Sequence, residues 1–278
     1  MATQNKDCFL NYWDDVIRQW FDEHIEESQQ TFLNQKSLNL NSMHMPEPYW
    51  GDPRSCSIVI ANYNPVGGAD RNRHTYRECA WCPESFINQV KKLGYSKVAM
   101  AFPIIDDAEN KGETTCWWNE YGGRKWWLNK MKWLDEIGKE IPKYKESDKK
   151  PFAIEFCGWH SANWPANACR SLYDDKDISH VVDKYFVRPL VDAVQNSDTG
   201  LGLCIGSQFY YLFEKLCSCD TSVQRINIFP LDKNAPHNIQ LFTIHGQNII
   251  VMWGKGRNRY PKGVNSDFRK IIQFLSNK

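Results

Sequence analysis

The chain has 278 residues, 42% hydrophobic and 14% aromatic, and includes 12 tryptophans. This length is sufficient for one domain with a large core. The formal net charge of only +1 excludes attraction of nucleic acid by a whole-chain field, so any polyanion site must come from local clusters of Lys and Arg.

Ten cysteines, no apolar leader at the start and no run long enough to cross a bilayer predict a reduced, cytoplasmic protein without a membrane partner. We expect a monomer. The close pairs Cys79/Cys82 and Cys217/Cys219 have the spacing of metal ligands, but buried free thiols explain them without a metal. We predict no metal and no cofactor.

The first 50 residues predict a helical extension of a single domain that spans residues 1–278. Apolar and aromatic residues recur at helical spacing over 7–33 and predict an amphipathic helix docked on the core. Prolines over 34–54 predict an irregular connector into the first strand.

An apolar, β-branched run at 57–61 predicts a strand buried on both faces of a mostly parallel sheet. It ends in Asn62, Tyr63, Asn64 and Pro65, and paired glycines follow. In open α/β sheets such loops at the carboxyl ends of strands hold the ligand, and glycines let backbone amides approach it. A polar turn after a core strand is the simpler interpretation.

Residues 70–77 carry three arginines, among them Arg71 and Arg73. These side chains suit phosphate binding, although a solvated loop explains them too. The pattern then predicts a helix over 84–93 and a second core strand over 97–105, joined by a right-handed crossover.

An insertion at 106–150 holds four tryptophans within eleven residues, interleaved with basic side chains. Aromatic and basic residues together suit a nucleic-acid strand, through stacking and charge. A helix over 125–141 that buries Trp126, Trp127, Met131 and Trp133 is the alternative, and the two are compatible.

Residues 151–164 repeat the pattern of a strand followed by a polar loop. Trp159, His160 and Asn163 would then reach the same sheet edge as Asn64, although a lone histidine is more often structural. Helices are predicted over 179–195, 208–216 and 267–275, a strand over 202–207 and a hairpin within 240–253.

The segment that follows Trp253 carries four positive charges within eight residues and no acid, at Lys255, Arg257, Arg259 and Lys262. Its composition suits phosphate binding. An exposed basic turn is the plainer interpretation.

Asn64-Pro65, directly after an apolar strand and before glycines, resembles the first motif of the uracil-DNA glycosylase superfamily. The order of later segments extends the resemblance over residues 55–275, including an Ile-Gly-Ser turn at 205–207 before an aromatic helix. The resemblance implies a three-layer α/β/α sandwich with a short, mostly parallel central sheet. The family's late loop begins His-Pro-Ser, and here no histidine occupies that place.

The resemblance implies a DNA glycosylase that flips a nucleotide and hydrolyses its N-glycosidic bond. Asn64 would orient water, because an amide cannot remove a proton at neutral pH, and Asp70 is the candidate carboxylate. The expected base-binding residues are Asn62, Tyr63, Tyr76, Trp159, His160 and Asn163. The expected DNA-binding residues are Arg71, Arg73, Trp253, Lys255, Arg257 and Arg259.

The missing histidine and the aromatic insertion argue against plain uracil and leave room for a bulkier modified base. A base of modified phage DNA, and hence a role in defence, fits this expectation. Two alternatives stay open at this point: a non-catalytic nucleic-acid-binding module of the same fold, and a hydrolase or transferase that acts on a small nucleotide.

Overall fold

A computed structural model describes residues 6–38, 40–42, 44–63, 83–100, 124–161, 164–165, 168–228, 237–254 and 266–277. The α-helices of this part are α1 (Lys6–Phe21), α2 (Glu27–Leu33), α3 (Glu84–Leu93), α4 (Tyr95–Met100), α5 (Arg124–Gly138), α6 (Ala168–Asp174), α7 (Lys176–Val182), α8 (Arg188–Asn196), α9 (Ser207–Cys219) and α10 (Ser266–Ser276). The strands are β1 (Leu40–Asn41), β2 (Tyr49–Trp50), β3 (Val59–Asn62), β4 (Phe152–Glu155), β5 (His160–Ser161), β6 (Leu201–Ile205), β7 (Val223–Ile226), β8 (His237–Ile244) and β9 (Gln247–Gly254).

Within the described ranges, seven strands form one mixed sheet in the order β2-β4-β3-β6-β9-β8-β7. The four central strands, β4, β3, β6 and β9, are parallel, whereas β2, β8 and β7 pair antiparallel at the two sides. The α/β class is therefore confirmed. The expectation of a mostly parallel sheet holds only for its centre. On one side, a tight turn at His245 and Gly246, both with positive φ, joins β8 to β9 as an antiparallel hairpin.

Helices contact both faces of this sheet. The strand registers place Trp50 and Phe242 on opposite faces. Trp50 lies 5.7 Å from Phe86 of α3 and 6.3 Å from Trp127 of α5, between ring centres, and Phe242 lies 5.5 Å from Phe213 of α9. The central strands are buried on both sides, which explains why their sequences do not alternate.

The strand predicted over 97–105 is wrong for its described part, because residues 95–100 form α4. Gly94, with φ +87°, ends α3 and lets the chain restart as a helix. Two hydrogen bonds then hold α4: the Tyr95 hydroxyl donates to the Tyr49 carbonyl at 2.7 Å, and the Ser96 amide donates to Asp14 at 2.8 Å. A short apolar run suits a buried helix face as well as a strand.

The other predicted elements are confirmed with adjusted boundaries. The helix over 7–33 is divided into α1 and α2, and the helix over 179–195 is interrupted by a π-helical turn at Asp183–Val187. Short strands β1 and β2 lie within the predicted connector, and β1 pairs with β5 outside the main sheet. None of the helices in the described part is long and apolar enough to cross a membrane.

We expect Gly206→Ala to lower the free energy of unfolding by about 3 kcal/mol. Gly206 has φ +122°, and a Cβ atom there would overlap the hydroxyl and ring of Tyr63. Gly200→Ala is the matched control, since Gly200 has φ +60° and nothing within 4 Å of an added Cβ. Its expected cost is about 1 kcal/mol. Urea unfolding measures both variants, and equal losses would show that the contact with Tyr63 contributes nothing.

Candidate functional site: a buried lysine, asparagine and glutamate

The candidate site begins where two neighbouring parallel strands end. Asn62 is the last residue of β3, and Glu155, its partner in register, is the last residue of β4. Both side chains lie on the face of the sheet that α5 covers, the same face as Trp50. Ligands of open α/β sheets bind at this edge of the strands.

A continuous hydrogen-bonded chain links these two residues to α5. The Lys130 amine donates to Asn62 Oδ1, and Asn62 Nδ2 donates to Glu155 Oε1 at 2.8 Å. Lys130 is 0% exposed, Glu155 6% and Asn62 7%. We call these three residues the buried triad. In this order the lysine amine donates to the amide oxygen, and the amide nitrogen donates to the carboxyl oxygen.

Lys130 is inside because it shares the buried face of α5 with aromatic and aliphatic residues. Trp127, one turn earlier, and Leu134, one turn later, are both buried. The Lys130 amine lies 4.6 Å from the centre of the Trp127 ring. Docking of this apolar face carries the amine to the end of β3.

Burial raises the pKa of Glu155 from 4.5 to about 7. The positive charge of Lys130 and the hydrogen bond from Asn62 oppose this rise, and the negative charge of Glu47 adds to it. Burial also lowers the pKa of Lys130 well below its ordinary value, against the attraction of Glu155. Both shifts favour the uncharged forms, so the Glu155 carboxyl changes its protonation state near neutral pH.

A second buried polar group contains Glu47, whose negative charge acts on Glu155. His160 Nε2 is 3.0 Å from Glu47 Oε1, and both side chains are buried. The rings of His44 and His160 meet edge to face at 5.5 Å between centres. Two backbone hydrogen bonds join the segment that holds Glu47 to β4 and to the loop after it: the Glu155 amide donates to the Pro48 carbonyl at 2.9 Å, and the Glu47 amide donates to the Gly158 carbonyl at 2.8 Å.

Of the predicted base-binding residues in the described part, Asn62 belongs to the buried triad and the other three are core residues. The Tyr63 hydroxyl accepts from the Gln208 amide at 2.9 Å at the start of α9, and the Trp159 indole donates to Gln29 at 2.8 Å. Trp159 and His160 are fully buried and Tyr63 nearly so. The rings of Tyr63 and Trp159 therefore present no open face on which a base could stack.

Trp253, a predicted DNA-binding residue, is half-buried near the end of β9, and its ring centre lies 5.3 Å from that of Tyr210. The remaining predicted site residues lie outside the described residues: Asn64, Asp70, Arg71, Arg73, Tyr76, Asn163, Lys255, Arg257 and Arg259.

The cysteines do not form a metal site within the described ranges, where no cluster of His, Cys, Asp and Glu has ligand geometry. Cys217 is half-buried and Cys219 exposed, and both are free thiols. Cys79 and Cys82 fall outside the described ranges. Burial raises the pKa of the Cys157 thiol, two residues after Glu155, to about 12, so this thiol is inert at neutral pH.

No family model matches the chain, and no curated protein or solved structure matches it significantly. The function is therefore inferred from the residues and their geometry.

Two members of the buried triad, Lys130 and Glu155, were missed in the sequence. A lysine between buried tryptophans of one helix face and a glutamate inside a buried parallel strand were the available signals. Charged side chains rarely occupy such positions unless they are paired.

We expect Glu155→Gln to become more stable relative to wild type as the pH rises. The folded protein binds this proton more tightly than the unfolded chain, so wild type loses stability between the unfolded pKa of 4.5 and the folded value of about 7. From pH 5 to pH 8 the difference should grow by about 2 kcal/mol. Urea unfolding at several pH values measures it.

The matched control is Glu136→Gln, the same change on the exposed face of α5. Its free energy of unfolding should differ from that of wild type by a small amount that does not depend on pH. A parallel pH dependence of wild type and Glu155→Gln would show that the Glu155 carboxyl titrates at its ordinary value.

Proposed function

We propose that the protein is a DNA glycosylase, which extrudes a nucleotide and hydrolyses the bond between its base and sugar. The observation that carries the proposal is the hydrogen bond between Asn62 and Glu155, at the adjoining carboxyl ends of β3 and β4. It sets a carboxyl group at the point where the chain enters the Asn64-Pro65 motif, two residues after Asn62.

The chemistry of N-glycosidic hydrolysis matches these groups. As the base departs, positive charge develops on the sugar and negative charge on the base, and water must approach the anomeric carbon. In this proposal Asn64 orients the water, and Asp70 is a further carboxylate for the sugar cation. A carboxyl group that titrates near neutrality is suited to proton transfer in the same reaction.

Two features support DNA as the partner. The parallel pairing of β9 with β6 and of β6 with β3 brings the end of β9 to the same edge as the buried triad. The half-buried Trp253 is near that end, and the four cations between 255 and 262 follow in the sequence. Positive charges that follow an aromatic residue in the sequence would compensate for the near-neutral charge of the whole chain.

The relationship to the uracil-DNA glycosylase superfamily is part of this proposal. The four parallel central strands and the helices on both faces are compatible with that family's three-layer sandwich, and the antiparallel strands would be additions to it. We propose a cytoplasmic monomer whose substrate is a modified base, with bases of phage DNA as the leading case.

We expect Asn64→Ala to abolish base release, by a factor of about 100 or more, because the attacking water loses its orienting amide. The assay measures free base and abasic sites from duplexes that carry uracil, ordinary bases or phage-type modified bases. The control is Asn129→Ala, the same substitution on the exposed face of α5, which should retain wild-type release.

Two results would contradict the proposal in different ways. DNA binding without release from any duplex would identify a non-catalytic binding module. Salt-insensitive binding of mononucleotides in place of DNA would indicate a small-nucleotide hydrolase or transferase, because only a polymer releases many counterions.

A further inference from the structure

The two oxygens of the Glu155 carboxyl group have different surroundings. Oε1 accepts the hydrogen bond from Asn62. Oε2 is buried and, within the part of the chain that the structure describes, has no hydrogen-bond partner. An ionised oxygen in this position is costly, whereas a protonated one carries a hydroxyl donor that no acceptor among the described residues uses.

Two charged groups shift the pKa of Glu155 in opposite directions. Lys130, from α5, acts on Glu155 through the amide of Asn62 and favours the ionised carboxylate. Glu47, from the segment before β2, favours the protonated acid, and the same carboxyl group lies 3.0 Å from His160 Nε2. Attraction and repulsion therefore partly cancel, and burial decides in favour of the protonated form.

We propose that Glu155 is a catalytic acid that donates a proton from Oε2 to the departing base, and that this base carries an exocyclic amino group, as cytosine and adenine derivatives do. This inference rests on the proposed glycosylase function and specifies its substrate class. Glu155 is then the acid, and Asn64 orients the water as in the proposed function.

The reaction balances without a cofactor. The C1′–N bond breaks and its electron pair goes to the base, which takes the proton from Glu155 and leaves uncharged. Water then adds its hydroxyl to C1′ and returns a proton to the Glu155 carboxylate.

The chemistry of the leaving group selects the substrate class. The two carbonyl groups of uracil spread the negative charge of the departing base, so uracil can leave as an anion. A base with an amino group in place of one carbonyl spreads this charge less well, and protonation helps its departure more. A buried acid that stays protonated near neutral pH therefore serves an amino base.

The test is single-turnover base release from duplexes that hold one 5-substituted cytosine or one uracil, between about pH 5.5 and 8.5. Wild type should release the cytosine derivative, with a rate that falls about tenfold per pH unit above the pKa of Glu155. In Glu155→Gln the release rate of the cytosine derivative should fall by a factor of about 100 or more, and the decrease of the rate at high pH should disappear. The release rate of uracil should change less than about tenfold. Glu136→Gln is the control.

Lys130→Met tests the same inference with a carboxyl group still in place. Loss of the positive charge should raise the pKa of Glu155, so the descending limb of the pH–rate profile should move to higher pH. Lys132 is exposed on the same helix, and Lys132→Met should leave the limb in place. A limb that does not move in Lys130→Met would overturn the inference, and so would wild-type release of the cytosine derivative by Glu155→Gln. Failure of wild type to release any base is a separate result, which overturns the proposed function itself.

Discussion

The structure depends on one bridging amide, the side chain of Asn62, which joins a buried lysine to a buried glutamate. Transfer of either charge from water into a protein interior costs several kcal/mol, and removal of one partner leaves the other uncompensated. The bridge is possible only if β3 and β4 pair in the observed register and α5 docks with Lys130 above the strand ends. The polar contacts and the apolar packing of Trp50 on Trp127 therefore specify the same arrangement.

Tyr63, the residue directly after β3, attaches the end of this strand to α9, on the other face of the sheet. Tyr63 accepts a hydrogen bond from the first turn of α9, and its ring packs 5.0 Å from Phe209, between ring centres. Gly206 is required there because a side chain would occupy the place of the Tyr63 hydroxyl. Tyr63, the residue that precedes Asn64, is therefore held by both a hydrogen bond and aromatic packing.

Most of the sheet could be predicted from the sequence because its strands obey simple rules. The central strands are apolar without alternation, and a break at His245-Gly246-Gln247 between two apolar runs indicates the hairpin. The strand prediction is wrong at residues 97–100 because an apolar pair, Val98 and Ala99, fits a short buried helix equally well. Strand β7 was missed because only its first residue, Val223, is buried.

The buried triad could be predicted only in part. Asn62 was identified from its position at the end of a core strand. Lys130 and Glu155 are separated from it by 68 and 93 residues, and only the tertiary structure brings them to it. For Trp159 and His160 the sequence could not show that both side chains are buried in the core.

The central claim is that the Glu155 carboxyl group changes its protonation state near neutral pH inside the folded protein. The most direct test is a ¹³C NMR titration of the glutamate side-chain carboxyl carbons, with the Glu155 signal assigned by its absence in Glu155→Gln. The account predicts a midpoint near the value of about 7 that burial gives this group. A midpoint near the ordinary value of 4.5 would contradict it.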